Sequence, residues 1–343
     1  MKGTLLQETN SFPKEILDAR ARDLKSILGG PTLIHLKGKK SPALFISVLL
    51  HGNETSGFLA IQKVLKKYAN KQLPRDLSIF IGNVKAAEKG LRFLPGQPDF
   101  NRIWPGGISI NQPEQRMAAE VLETMKNRGV FASIDIHNNT GKNPHYACIN
   151  VVSPPFLQLA TLFNSLVVYY LYPKGVQSFA FSSLAPAVTL ECGLDANEQG
   201  VDHASNYIEE CLKLVEFEKN TITRPFELFH TIGTVTIATD TKIGFESGYP
   251  LQLCDEIEGY NFKELGEGTV FAHTSSYSQD LIIVKDEQGN KVTSNFFKLE
   301  DGSIKLTKKV MPAMLTKDLR VIKQDCLCYL MERYPYQQSN PTT

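Results

Sequence analysis

At 343 residues the chain exceeds the usual size of one hydrophobic core, so a large domain followed by a smaller one is expected. Its 42% hydrophobic and 21% charged residues are those of an ordinary folded protein and exclude extensive disorder. A formal net charge of +1 excludes a strongly basic surface, so neither nucleic acid nor an anionic membrane is expected as the main partner.

The opening 25 residues are polar and carry both charges, without the apolar core of a secretory signal, which points to a cytoplasmic protein. No apolar run approaches the roughly 20 residues needed to cross a bilayer. From there β-rich runs alternate with helical ones, the pattern of a sheet covered by helices. Strands are predicted over 32–36, 43–50, 77–82, 131–137, 146–152, 167–172 and 187–192. Helices are predicted over 56–68, 113–126, 155–164 and 200–217, with Pro113 suited to a first helical turn. Lys63, Lys66 and Lys67 read as the solvated face of the first of these.

After about Glu218 helical periodicity gives way to short β-branched runs. Strands are predicted over 234–238, 269–271, 281–284, 296–299 and 303–306, with Asp301-Gly302 a hairpin turn. The expected division is therefore 1–220 and 221–343, with a polar tail over 337–343 that frays. Six scattered cysteines, at 148, 192, 211, 254, 326 and 328, form no disulfide framework and read as reduced core residues. Cys326 and Cys328 share a strand face but lack the second pair that a structural zinc site needs.

Four segments carry the chemistry. In Leu49-Leu50-His51-Gly52-Asn53-Glu54, a buried-looking strand ends in an imidazole and a carboxylate three residues apart. Ligands gather at such carboxyl edges of a sheet, and Gly52 allows backbone angles that bring both side chains together without a Cβ clash. In Asp135-Ile136-His137-Asn138-Asn139-Thr140 a second strand ends in a histidine. His51, Glu54 and His137 together make a set known for catalytic zinc, with a position left for water. Asp135 is either an acceptor that orients His137 or simply a buried hydrogen-bonded aspartate.

The third segment, Val188-Thr189-Leu190-Glu191-Cys192-Gly193, ends an apolar strand in a carboxylate; a buried carboxylate needs a partner, a metal or a proton-transfer task. The alternative is a salt-bridged strand end. The fourth is Asp99-Phe100-Asn101-Arg102, preceded by Arg92. Guanidinium forks recognise carboxylates at two points, so Arg92 and Arg102 point to an anionic substrate, with ordinary surface pairing as the alternative.

The order His-x-x-Glu, Asn-Arg, His-Asn and Glu-x-Gly, over roughly 43–193, resembles the succinylglutamate desuccinylase and aspartoacylase family of zinc carboxypeptidase-like enzymes. The resemblance implies an α/β fold, a mixed β-sheet sandwiched by helices, followed by a smaller all-β domain that narrows the entrance to the site. It implies one zinc per chain on His51, Glu54 and His137, with Glu191 handling protons. Asn101 and Arg102 would anchor a substrate carboxylate, and Arg92 would polarise the scissile carbonyl. The implied substrate is a small carboxylate-bearing amide such as an N-acyl amino acid.

One departure stands out. Aspartoacylases carry a Tyr and an Arg shortly before the strand at 187–192, and the segment 177–183 here has neither. A second substrate carboxylate would lack its cation, and Phe179 and Phe181 point instead to an apolar acceptor group, or else to core. Two other readings remain: a carboxypeptidase for short peptides, and an inactive ligand-binding homologue. The other histidines, His145 included, read as structural, and Tyr260 and Tyr277 as lid candidates without local support. The acyl group and the oligomeric state, a homo-oligomer included, are open.

Overall fold

The computed structural model describes residues 5–218, 222, 224–275 and 281–336. Its strands are β1 Gln7–Thr9, β2 Thr32–Leu36, β3 Ala43–Val48, β4 Leu77–Ile81, β5 Val130–Asn139, β6 Tyr146–Ile149, β7 Leu166–Tyr169, β8 Ala187–Leu194, β9 Glu227–Ile237, β10 Ile243–Gly244, β11 Leu251–Leu253, β12 Val270–His273, β13 Ile282–Lys285, β14 Phe297–Glu300, β15 Ser303–Leu306, β16 Met311–Ala313 and β17 Cys328–Arg333. Its helices are α1 Leu24–Leu28, α2 Ser56–Lys67, α3 Val84–Lys89, α4 Pro113–Arg128, α5 Pro154–Phe163, α6 Gln177–Phe181, α7 Glu198–Lys213 and α8 Leu319–Gln324.

The described residues form a twelve-stranded mixed sheet in the order β1-β2-β4-β3-β5-β8-β6-β7-β9-β17-β16, with β13 also on β9. Its centre, β4-β3-β5-β8, is parallel. Every residue of β3 is buried, as a strand covered on both faces requires. Helices α2, α6 and α7 pack on β5 and β8. Phe181 of α6 is fully buried, its ring stacked on Phe45 of β3 at 4.3 Å. Phe181 is thus core, and the acceptor-pocket reading of this segment is corrected for it. The segment is a short helix, too brief for periodicity to reveal.

Parallel pairing of β7 with β9, and antiparallel pairing of β9 with β17, carry the same sheet into the last third of the chain. That region adds a five-stranded sheet, β10-β11-β12-β15-β14, and a separate apolar cluster around Val235, Phe271, Ile304 and Leu330. It also contains the helix α8, so it is not purely β. Asp301 and Gly302, both at positive φ, close the β14–β15 hairpin as expected. The three lysines of α2 are solvated and ion-paired, Lys63 with Asp202, Lys66 with Asp18 and Lys67 with Glu209. All six cysteines are free. Tyr277 and the tail over 337–343 lie outside the described residues. Among those residues no helix is long and apolar enough to cross a membrane.

Strand 43–50 ends earlier than its apolar run implies. Leu49 has a left-handed backbone, φ 56°, a conformation rare for a branched residue. The chain therefore leaves the sheet after Val48 and turns to deliver His51 above the strand ends. Strands 146–152 and 167–172 are likewise shorter, ending at Ile149 and Tyr169, and helix 200–217 runs Glu198–Lys213.

Candidate metal centre and substrate cavity

His51 follows β3, His137 lies near the end of β5 and Glu191 lies on β8, directly beside His137 in the parallel register. All three therefore sit at carboxyl edges of adjacent central strands, where a doubly covered sheet opens. His51, Glu54 and His137 are buried, and one donor atom from each lies within 4.8 Å of the others. His51 Nδ1 is 2.7 Å from Glu54 Oε1, and His137 Nδ1 is 2.8 Å from Glu54 Oε2.

The opposite ring nitrogens are held from behind. His137 Nε2 is 2.8 Å from Asp135 Oδ2, and Ser47 donates to the other Asp135 oxygen at 2.6 Å. His51 Nε2 is 3.0 Å from Asp99 Oδ1. Carboxylates in this position fix ring orientation and leave Nδ1 to face inward. Asp135 is where the orienting reading places it. Asp99 was passed over in sequence because its partner lies 48 residues away. Asn138 ties the centre to its surroundings: its N–H donates to Glu54 Oε2 at 3.0 Å, and its amide bridges Ser56 of α2 and the Gly193 carbonyl of β8.

Charges follow this geometry. Burial opposes ionisation of Glu54, yet the two imidazoles hold its carboxyl well below the usual range. Burial likewise opposes a charged Asp99, and His51 with the nearby arginines outweighs it. His137 is raised well above its usual value, since Asp135 and Glu54 overcome its burial. Glu191 behaves differently: burial pushes its carboxyl up to about 8, and its Oε2 has no hydrogen-bond partner.

Gly52 serves through space rather than through its backbone angle, for it is absent from the positive-φ residues. A Cβ there would stand 2.2 Å from the Ala87 nitrogen and 2.4 Å from the Ala86 carbonyl carbon, both backbone atoms of α3. Gly52→Ala should therefore displace the 49–54 turn, lowering stability by about 1–3 kcal/mol and metal affinity by more than tenfold. Thermal melts and competition with a coloured chelator would check both; unchanged values would contradict this account of the turn.

A cleft of roughly 680 Å³, counting space open to solvent, joins the three metal-type side chains to Glu191, Arg92, Asn101 and Arg102. The seven sequence-selected residues thus share one cavity. The structure adds a residue that sequence did not single out, Asp325. It accepts from Arg92 Nη2 at 2.9 Å through Oδ2 and from Arg102 Nη2 at 3.0 Å through Oδ1. Arg92 Nη1 also lies 3.4 Å from Glu54 Oε1. The Asn101 side-chain oxygen is buried without a partner. His145 is not on the cavity; it packs with Phe163 and His203, as the structural reading holds. Tyr260, the other lid candidate, packs on Phe271 and is likewise not among the cavity residues.

Residues 40–215 match the succinylglutamate desuccinylase/aspartoacylase catalytic domain, and the chain belongs to that family. The fold agrees with solved structures at low identity. Succinylglutamate desuccinylase from Chromobacterium violaceum superposes with a TM-score of 0.59 at 18% identity, covering 87% of this chain and 86% of that one. Succinylglutamate desuccinylase from Vibrio parahaemolyticus gives 0.58 at 14% identity, covering 88% and 86%. Murine aminoacylase 3 gives 0.55 at 15% identity, covering 86% and 97%. No curated protein matches the chain in sequence.

Proposed function

We propose that the protein is a zinc-dependent hydrolase that cleaves the amide of an N-acyl amino acid or a related small carboxylate. The observation that carries this reading is the convergence of His51, Glu54 and His137 donor atoms within 4.8 Å, in one cavity with the unpartnered Glu191 carboxylate. Two imidazoles and a carboxylate, with both rings held from behind by aspartates, fit zinc and leave room for further ligands. Zinc held there supplies Lewis acidity toward a carbonyl oxygen and toward water.

The chain's own residues do the rest. Glu191 Oε2, buried beside His137 without a hydrogen-bond partner, takes the proton of the attacking water and passes it to the leaving amine. Arg92, beside Glu54, shares the charge that develops on the carbonyl oxygen. Arg102 and Asn101 hold the substrate carboxylate and so fix the position of the amide. Residues 1–220 carry the catalytic groups, and 221–343 form a β-rich part that supplies Asp325 to the cavity wall.

A carboxypeptidase acting on short peptides would use the same anchor and the same proton transfers. A panel of N-acyl amino acids assayed beside a panel of dipeptides, with zinc-loaded protein, separates the two. Hydrolysis of the acyl amino acids at least about tenfold faster is expected. Preference for the dipeptides would favour the peptidase, and tight binding without hydrolysis of any member would leave an inactive binding homologue.

A further inference from the structure

The proposed anchor is already partly neutralised. Asp325 follows α8 and precedes β17, and its two oxygens bridge Arg92 and Arg102 at 2.9 and 3.0 Å. Asp99 stands 3.6 Å from Arg92 as well. Among the described residues lining the cavity, Arg92 and Arg102 are the permanent cations. Asp325 is shared by both guanidinium groups, and Asp99 and Glu54 also face Arg92, so the arginines leave at most one positive charge for a substrate carboxylate and none for a second.

Beyond the anchor, an apolar group of side chains shares the wall with the hydroxyls of Tyr170, Thr189, Thr231 and Tyr329. Tyr146, Val168 and Met331 belong to one buried cluster, the partly buried Met314 packs against it, and all four line the cavity. Met314 is held there at some expense of backbone freedom: its φ is 70°, its N–H donates to the Asn143 side chain at 2.9 Å, and its sulfur accepts from the Tyr146 hydroxyl at 2.9 Å. A left-handed methionine fixed at both backbone and sulfur marks a position that the surrounding structure determines. Thioethers adapt to apolar groups of varied shape.

Building on the hydrolase reading, we propose that the cavity selects substrates with a single carboxylate and an apolar side chain, and that Asp325 is the residue that excludes dicarboxylates. A second carboxylate would be stripped of water against the methionine wall, with Asp325 repelling it from the arginines. The apolar character inferred from sequence thus resides in Tyr146, Val168, Met314 and Met331 rather than in Phe181.

Calorimetric binding to zinc-loaded Glu191→Gln protein tests this without turnover. N-acetyl-L-methionine should bind at least about tenfold more tightly than N-acetyl-L-aspartate. Adding Asp325→Asn, which keeps the shape and removes the charge, should tighten the aspartate derivative about tenfold and shift the methionine derivative less than threefold. Adding Met314→Lys instead should invert the preference, and serves if the Asp325 variant fails to fold. Preference of the parent protein for the dicarboxylate, absence of binding to either compound, or equal weakening of both by Asp325→Asn would overturn the proposal. If the binding preference holds while the native protein hydrolyses nothing, the catalytic reading fails and the specificity inference stands.

Discussion

Replacing Glu191 by Gln is expected to lower kcat by roughly 10²–10⁴-fold, the usual worth of a positioned acid-base group, while zinc content stays at the native level. Glu191 lies beside His137 in the strand register but has no hydrogen bond at Oε2 and makes none of the short contacts that join His51, Glu54 and His137. Removing its charge therefore leaves the donor set intact. A second readout separates this role from a structural one. In metal-free protein the folded carboxyl stands at about 8, above its ordinary 4.5, because burial disfavours the anion. The sign follows directly: below 4.5 both folded and unfolded chains hold the proton, and between 4.5 and 8 only the folded chain does, so stability falls as pH rises through that window. The loss runs at about 1.4 kcal/mol per pH unit and reaches several kcal/mol. Glu191→Gln should therefore raise the melting temperature of metal-free protein at pH 8 and leave it nearly unchanged below pH 4.5. Retained turnover, or a melting gain equal at both pH values, would contradict the assignment.

Removing the imidazole of His137 should abolish zinc binding and destabilise the chain by about 3–5 kcal/mol, the range for breaking a buried ionic cluster from one side. His137 stands between two buried carboxylates, Glu54 at 2.8 Å and Asp135 at 2.8 Å, and its loss removes the imidazole partner of Asp135 Oδ2 and of Glu54 Oε2. Asp135→Asn is the graded control. It keeps the ring in place with a neutral acceptor, and should weaken zinc by about 10–100-fold without abolishing it. Chelator competition and denaturant titration of the two variants read both effects. Equal zinc affinity in His137→Ala and the native protein would remove His137 from the centre.

Much of the central architecture was legible because parallel strands buried on both faces write themselves as short Val, Ile, Leu and Phe runs. Polar residues stand near or just beyond the carboxyl ends of β3, β5 and β8 for a physical reason: these are the points where the chain leaves the core and reaches the open edge. His51, Glu54, His137 and Glu191 all occupy such points, so they were found together. Leu49 shows where the pattern misleads, since its apolar side chain continues the strand signal while its left-handed backbone ends the strand. Phe181 misled similarly, being apolar for the core contact with Phe45. Asp325 had no local signal at all. It lies 223 residues beyond Arg102, on a short helix end, and only the pairing of β17 with β9 brings it to the arginines. Gly52 was correctly singled out, but its reason, the backbone of α3 a Cβ's width away, is visible only in three dimensions.

The central claim is that His51, Glu54 and His137 hold a catalytic zinc. Stepwise addition of zinc to metal-free protein, with hydrolysis of the best N-acyl amino acid followed at each step, tests it most directly. Activity should rise in proportion to bound zinc and break at about one ion per chain. Full activity before any zinc is added, or no zinc bound at saturation, would contradict it.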